Sequence, residues 1–210
     1  MRIDFIFKYF IRSSGGLAGA YMRVIAGTAR SLRLKTVDGL DTRPTTDRIK
    51  ETLFNMLQPY VADSIFIDLF SGSGGIGIEA LSRGAKKAYF VENGKDAFSC
   101  ISWNVKSTGF EDKAVLLKQD VLSALSTISE KEADIIFMDP PYASGAEKEI
   151  LWALSDKPYV TENTLIVVEA ALETDFSYLN SLENFGFEIW KTKNYKTNKH
   201  VFIIKEGTNK

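Results

Sequence analysis

The chain of 210 residues is 45% hydrophobic and 25% charged with a formal net charge of −1, which is enough apolar material for one substantial core but hardly for two. No run reaches the roughly 18 uncharged apolar residues that cross a bilayer, so a membrane-spanning helix is excluded and a cytoplasmic protein is expected. The single cysteine, Cys100, excludes a disulfide framework and a cysteine zinc site, and no metal is expected.

In chain order, residues 1–21 stand apart. Their apolar stretch 5–11 is broken by Lys8 and followed by Ser13-Ser14-Gly15-Gly16, a poor secretory signal, and Met22 opens the patterned sequence. An extension without catalytic consequence is expected there. Residues 22–35 suggest a small β-hairpin and 46–57 a helix that Thr45 or Thr46 could cap, together an appendage over 22–58. The net charge hides an asymmetry here, because Arg23, Arg30, Arg33, Lys35, Arg43, Arg48 and Lys50 outnumber Asp38, Asp41 and Asp47. Such a segment is either a docking face for a polyanion or a solvated basic face.

Over 59–210 the pattern alternates. Strands are expected at 65–70, 88–91, 114–117, 134–138 and 165–168, separated by helices at 76–83, 97–106, 121–128 and 147–154. Strand and helix in alternation imply an α/β doubly wound fold with parallel pairing through right-handed crossovers. The end differs: two strands, 185–190 and 201–204, are joined by a polar connection over 191–200, as in a terminal hairpin with one strand inserted antiparallel. The lone histidine, His200, falls in that Lys-rich connection and reads as a solvated surface residue without a role.

Two motifs carry chemistry. Asp68-Leu69-Phe70-Ser71-Gly72-Ser73-Gly74-Gly75-Ile76-Gly77 runs from the first parallel strand into a helix, and Gly72, Gly74 and Gly77 give the G-x-G-x-x-G spacing that lets a ligand approach the backbone at a helix N-terminus. That spacing also fits a nicotinamide dinucleotide, but Asp68 at the strand end would repel a pyrophosphate and attract an ammonium. Glu92 ends the next strand, where an acid commonly takes ribose hydroxyls, and Asp120 follows the third, within reach of an adenine amino group. The second motif is Asp139-Pro140-Pro141-Tyr142, directly after an apolar strand. Two prolines fix φ and supply no N–H, leaving the Asp139 carboxylate and the Pro140 carbonyl as acceptors for the N–H bonds of an exocyclic amine, with Tyr142 as a stacking face for a flipped base.

Asp139–Tyr142 resembles the D/N-P-P-Y/F motif of methyltransferases that modify planar amino groups, and Asp68–Gly77 resembles their cofactor loop. Arg43-Pro44-Thr45-Thr46-Asp47-Arg48 with Glu51, Phe54 and Asn55, and the opening Met22-Arg23-Val24-Ile25-Ala26-Gly27, are similar more specifically to the RsmD-type 16S ribosomal RNA guanine-N2 methyltransferases. The similarity runs from Met22 to about Lys205. It implies a seven-stranded, mostly parallel sheet with the last strand antiparallel, and S-adenosylmethionine as cofactor, held by Asp68, Phe70, Gly72, Gly74, Glu92 and Asp120. It further implies catalysis by Asp139, Pro140 and Tyr142, and contact of Arg23, Arg30, Arg33, Lys35, Arg43 and Arg48 with 16S ribosomal RNA or an assembling small subunit. A monomer is expected. The alternatives on the same motifs are a DNA adenine-N6 or protein glutamine-N5 methyltransferase, a nicotinamide-dependent oxidoreductase, and a noncatalytic RNA-binding assembly factor.

Overall fold

In the computed structural model, residues 22–37, 47–141, 145–180 and 185–206 are described. The extension expected over 1–21, the caps Thr45 and Thr46, and the site residues Arg43 and Tyr142 lie outside the described residues. The described chain opens on a hairpin, β1 (Met22–Arg23) paired antiparallel with β2 (Arg33–Leu34), as expected. Helix α1 (Asp47–Val61) follows, burying Lys50, Leu53, Phe54, Leu57 and Val61. That spacing is one stripe of a 3.6-residue period, and it carries the helix through Pro59 beyond the expected end.

The alternating pattern becomes β3 (Ile65–Leu69), α2 (Gly75–Ser82), β4 (Lys87–Val91), α3 (Lys95–Thr108), β5 (Ala114–Leu117), α4 (Val121–Thr127), β6 (Ile135–Met138), α5 (Ala146–Ser155) and β7 (Leu165–Ala171). The final hairpin is β8 (Phe187–Asn194) and β9 (Asn198–Lys205). The seven strands order as β5-β4-β3-β6-β7-β9-β8. β9 runs antiparallel to both its neighbours and every other pair is parallel. The expected doubly wound sheet is therefore present, with its crossover reversing direction between β3 and β6.

Strand alternation divides the core. Phe66, Phe90, Phe137, Val167 and Phe202 pack with Leu53, Phe54 and Leu57 of α1 and Ile78 of α2, while Ile67, Leu69, Ile136, Met138 and Val168 pack with Leu125 of α4 and Leu151 and Leu154 of α5. Each helix layer thus buries one face of the sheet, the arrangement expected of parallel strands.

Two expectations for the C-terminal region need correction. The polar connection expected over 191–200 is mostly strand, since β8 continues to Asn194 and β9 begins at Asn198, with Tyr195 N–H donating to the Asn198 carbonyl across the turn at 2.8 Å. β8 is an edge strand whose outer half is exposed, so it lacks the apolar alternation that marks a strand. His200 is not a surface residue. It is fully buried in β9, directly opposite Glu169 of β7, on the same side of the sheet as Phe202 and Ile204.

The N-terminal hairpin is fastened to α2 by buried polar groups. Glu79, fully buried, accepts Ile25 N–H at 2.7 Å and Ala26 N–H at 3.0 Å, and pairs with Arg83 at 2.8 Å and Lys50 at 3.6 Å. Ser82 accepts from Ala29 N–H and donates to the Ala26 carbonyl. Asn104 of α3 holds the end of β2 by accepting Lys35 N–H at 2.7 Å and donating to the Lys35 carbonyl at 2.8 Å; it also donates to the Ser73 carbonyl in the glycine-rich turn.

Candidate active site

A cleft of about 1820 Å³ opens at the carboxyl ends of β3, β4, β6 and β7. Doubly wound sheets bind ligands at this edge, where the strand order reverses. Its lining brings together Asp68, Phe70, Gly72, Glu92, Asp120, Asp139, Pro140 and Arg48, which are separated by up to 92 positions in sequence (48 to 140). Gly74 is buried just behind the loop against Phe90 and Ile101. Arg23, Arg30, Arg33 and Lys35 do not line the cleft but are exposed on the hairpin, with Arg23 paired to Asp47 at 2.7 Å.

The glycine-rich turn is built by a sharp change of direction. Phe70 has φ 62° and Gly72 φ 54°, both left-handed, a conformation a phenylalanine adopts only when its surroundings impose it. A Cβ on Gly72 would meet nothing, so its bare face looks into open space where a ligand can approach the backbone. Gly77 has a different duty. A Cβ there would stand 2.4 Å from the Phe90 ring, so the third glycine of the motif serves helix-to-strand packing.

Asp68 is 1% exposed and accepts Gly77 N–H at 2.9 Å from the start of α2. Burial raises its pKa to about 7, against that hydrogen bond. A buried carboxylate with one donor and open lone pairs fits a cationic ligand. Glu92 braces the loop, taking Gly72 N–H at 2.9 Å and Gly94 N–H at 2.7 Å on its two oxygens, each with a lone pair left for a hydroxyl donor. Asp120 caps α4 by accepting Ser123 N–H at 3.0 Å and is exposed at the cleft rim.

Just past the end of the neighbouring strand β6, burial raises the Asp139 carboxyl to about 8, reinforced by the nearby charges of Glu169 and Asp68. Asp68, Phe137 and Glu169 share one face of the sheet, and Asp139 is two residues beyond Phe137. Glu169 belongs to the site although no sequence motif marks it. Its Oε1 accepts from Asn198 Nδ2 at 2.5 Å and its Oε2 lies 3.1 Å from His200 Nε2, while His200 Nδ1 lies 3.0 Å from the Tyr195 hydroxyl. The one signal for it in the sequence is an acid inside the apolar run Leu165–Ala171. Lys193 near the end of β8 and Lys196 in the β8–β9 turn also line the cleft.

The site can therefore hold a ligand carrying an ammonium, hydroxyls and a planar base beside a second planar group whose N–H bonds meet carboxyl acceptors. The family model described as "Conserved hypothetical protein 95" matches residues 22–204. Ribosomal RNA small subunit methyltransferase D of Haemophilus influenzae is 36% identical over 150 residues, covering 70% of this chain and 78% of that protein. Its counterpart in Escherichia coli is 34% identical over 154 residues, covering 72% and 76%. The solved structure of yhhF from Escherichia coli superposes with a TM-score of 0.75 at 30% identity, over 89% of this chain and 99% of that one.

Proposed function

This chain belongs to the family described as Conserved hypothetical protein 95, alongside ribosomal RNA small subunit methyltransferase D, and from that premise we propose that it methylates the exocyclic N2 of a guanine in small-subunit ribosomal RNA. The observation that carries this reading is the shared cleft, in which a cationic-ligand carboxylate at Asp68 and an amine-gripping turn at Asp139–Pro140 meet at one sheet edge.

S-adenosylmethionine, when bound, supplies a methyl group activated on a sulfonium. Asp68 is suited to pair with its ammonium, the bare face of Gly72 to admit its methionine end, Glu92 to take ribose hydroxyls and Asp120 to reach the adenine amino group. An exocyclic amine is a poor nucleophile because its lone pair is delocalised into the ring. Asp139 and the Pro140 carbonyl, by accepting its two N–H bonds, turn that lone pair toward the methyl donor. N2 gains the methyl and then releases one proton to solvent, so no dedicated general base is needed. Tyr142, the last residue of the motif, is suited to stack on the base. The exposed Arg30, Arg33 and Lys35 on the hairpin, with Arg23, Arg43 and Arg48, supply phosphate contacts.

The test is incubation of the protein with methyl-labelled cofactor and small-subunit RNA, either naked or in particles, from a strain lacking this protein. Label incorporated there and absent from RNA of the parent strain supports the reading. Equal incorporation into both, or into neither, overturns it.

A further inference from the structure

Behind Asp139 lies a polar cluster that neither the cofactor nor the target amine requires. Glu169 is 4% exposed, yet it lines the cleft, as do Tyr195 and Asn198. Each of its oxygens already faces one protein donor. Asn198 Nδ2 serves Oε1, and a neutral His200 that takes the Tyr195 O–H on Nδ1 carries its proton on Nε2 and donates it to Oε2. Burial and the Glu169 charge push the Tyr195 hydroxyl up to about 12, which keeps that proton in place for His200. The clamp fixes the carboxylate in position and leaves lone pairs on both oxygens. Beside it, Asn198 Oδ1 is buried and has no partner among the described residues, a second acceptor in the same wall.

This wall offers acceptors and needs donors. Asp139 directly follows β6 and Glu169 lies in the adjacent β7, each one residue beyond the paired Met138 and Val168, and the charge of Glu169 acts on Asp139, so an aromatic edge gripped by Asp139 meets Glu169 next. The edge of guanine that carries the N2 amine continues into N1–H, a donor. Adenine continues from its N6 amine into N1, a bare lone pair that would face a carboxylate. We propose, resting on guanine N2 as the methylated position, that Glu169, held by Asn198 and His200, accepts the N1–H of the target guanine and thereby determines which base is methylated. Glu169 is a specificity-determining residue in this scheme, and His200 and Asn198 position it.

Base analogues separate this role from a structural one. Small-subunit particles are reconstituted around RNA bearing guanosine, 6-thioguanosine or 2-aminopurine riboside at the position the parent protein methylates. All three keep the 2-amino group, but 2-aminopurine has a lone pair at N1. The parent should use guanosine and 6-thioguanosine alike and 2-aminopurine at least about tenfold less well, since sites that hydrogen-bond a group reject analogues lacking it strongly. Glu169→Gln offers an amide N–H to that lone pair. It should lower turnover of guanosine at least about tenfold and shrink or invert the preference over 2-aminopurine, with cofactor affinity by calorimetry unchanged. Should that variant lose the cofactor, Glu169→Asp retracts the carboxylate by one methylene, and should slow guanosine while still rejecting 2-aminopurine. Equal use of guanosine and 2-aminopurine by the parent removes the proposal and leaves guanine methylation standing. Proportional loss on both bases in Glu169→Gln, or parent-like kinetics in Glu169→Asp, also overturns it. A parent that methylates no guanosine particle at all defeats instead the underlying reaction.

Discussion

Asp139, directly after β6, and Glu169, in the adjacent parallel strand β7, each lie one residue past the paired Met138 and Val168, and the charge of Glu169 raises the pKa of Asp139. Burial adds more, bringing Asp139 to about 8 and Asp68, on the neighbouring strand β3, to about 7, from an ordinary 3.8. Between pH 4 and 8 the folded protein therefore keeps protons that the unfolded chain has released. The folded state binds more protons, so stability of the ligand-free protein falls as pH rises through that window. Thermal midpoints should drop between about pH 4 and 8 and level off above that, and Asp139→Asn should flatten the drop. A flat parent profile, or an equal slope in the variant, would contradict the assignment.

The hydrogen bond from Gly77 N–H to Asp68 separates two effects that a single substitution would mix. Asp68→Ala leaves a buried N–H without its acceptor and should cost about 1–3 kcal/mol of stability as well as cofactor affinity. Asp68→Asn keeps an acceptor for Gly77 and removes only the charge. Calorimetry on that variant should show binding weaker by about 1.5–3 kcal/mol with stability nearly preserved. Parental affinity in Asp68→Asn would remove the carboxylate from the cofactor site.

Glu79 is the hub that docks the N-terminal hairpin. Burial depresses the Lys50 ammonium, and Glu79 is the largest influence opposing that depression. Glu79→Ala leaves Lys50 buried without its counter-charge and orphans the Ile25 and Ala26 amides. Removing one partner of a buried pair typically costs about 3–5 kcal/mol. Urea unfolding should show a loss of that size, and a loss below about 1 kcal/mol would mean that the hairpin does not depend on this residue.

The same hairpin carries the basic residues. Neutralising Arg23, Arg30, Arg33 and Lys35 together should weaken RNA binding without changing cofactor affinity. The log–log salt slope should become shallower by roughly 0.7 for each phosphate of single-stranded RNA that is no longer neutralised. If affinity and slope stay at parental values, the RNA path runs instead past Lys193 and Lys196 on the other rim of the cleft.

What the sequence displays and what it conceals have physical causes. Ile65–Leu69, Lys87–Val91 and Ile135–Met138 are legible because strands buried on both faces are continuous apolar runs, and the acids Asp68, Glu92 and Asp139 interrupt or end them where ligands bind. The G-x-G-x-x-G spacing is legible as a motif but not in its division of labour, since only the structure shows Gly72 facing open space and Gly77 facing Phe90. His200 misleads because its carboxylate partner is distant in sequence: a histidine flanked by Lys199 reads as solvated until Glu169 of β7 is seen against its ring, with Tyr195 on the other nitrogen. Glu169 is hidden because a single acid in Leu165–Ala171 has no spacing motif of its own.

Methyl transfer to guanine N2 through the Asp139 turn is tested most directly by mass spectrometry of nucleosides from small-subunit RNA of a strain lacking the protein, after treatment with cofactor and either the parent or Asp139→Ala. N2-methylguanosine should appear at one position with the parent and be absent with Asp139→Ala, whose cofactor affinity stays near parental. Methylation at adenine N6, no methylated base with the parent, or near-normal N2-methylguanosine with Asp139→Ala would contradict the account.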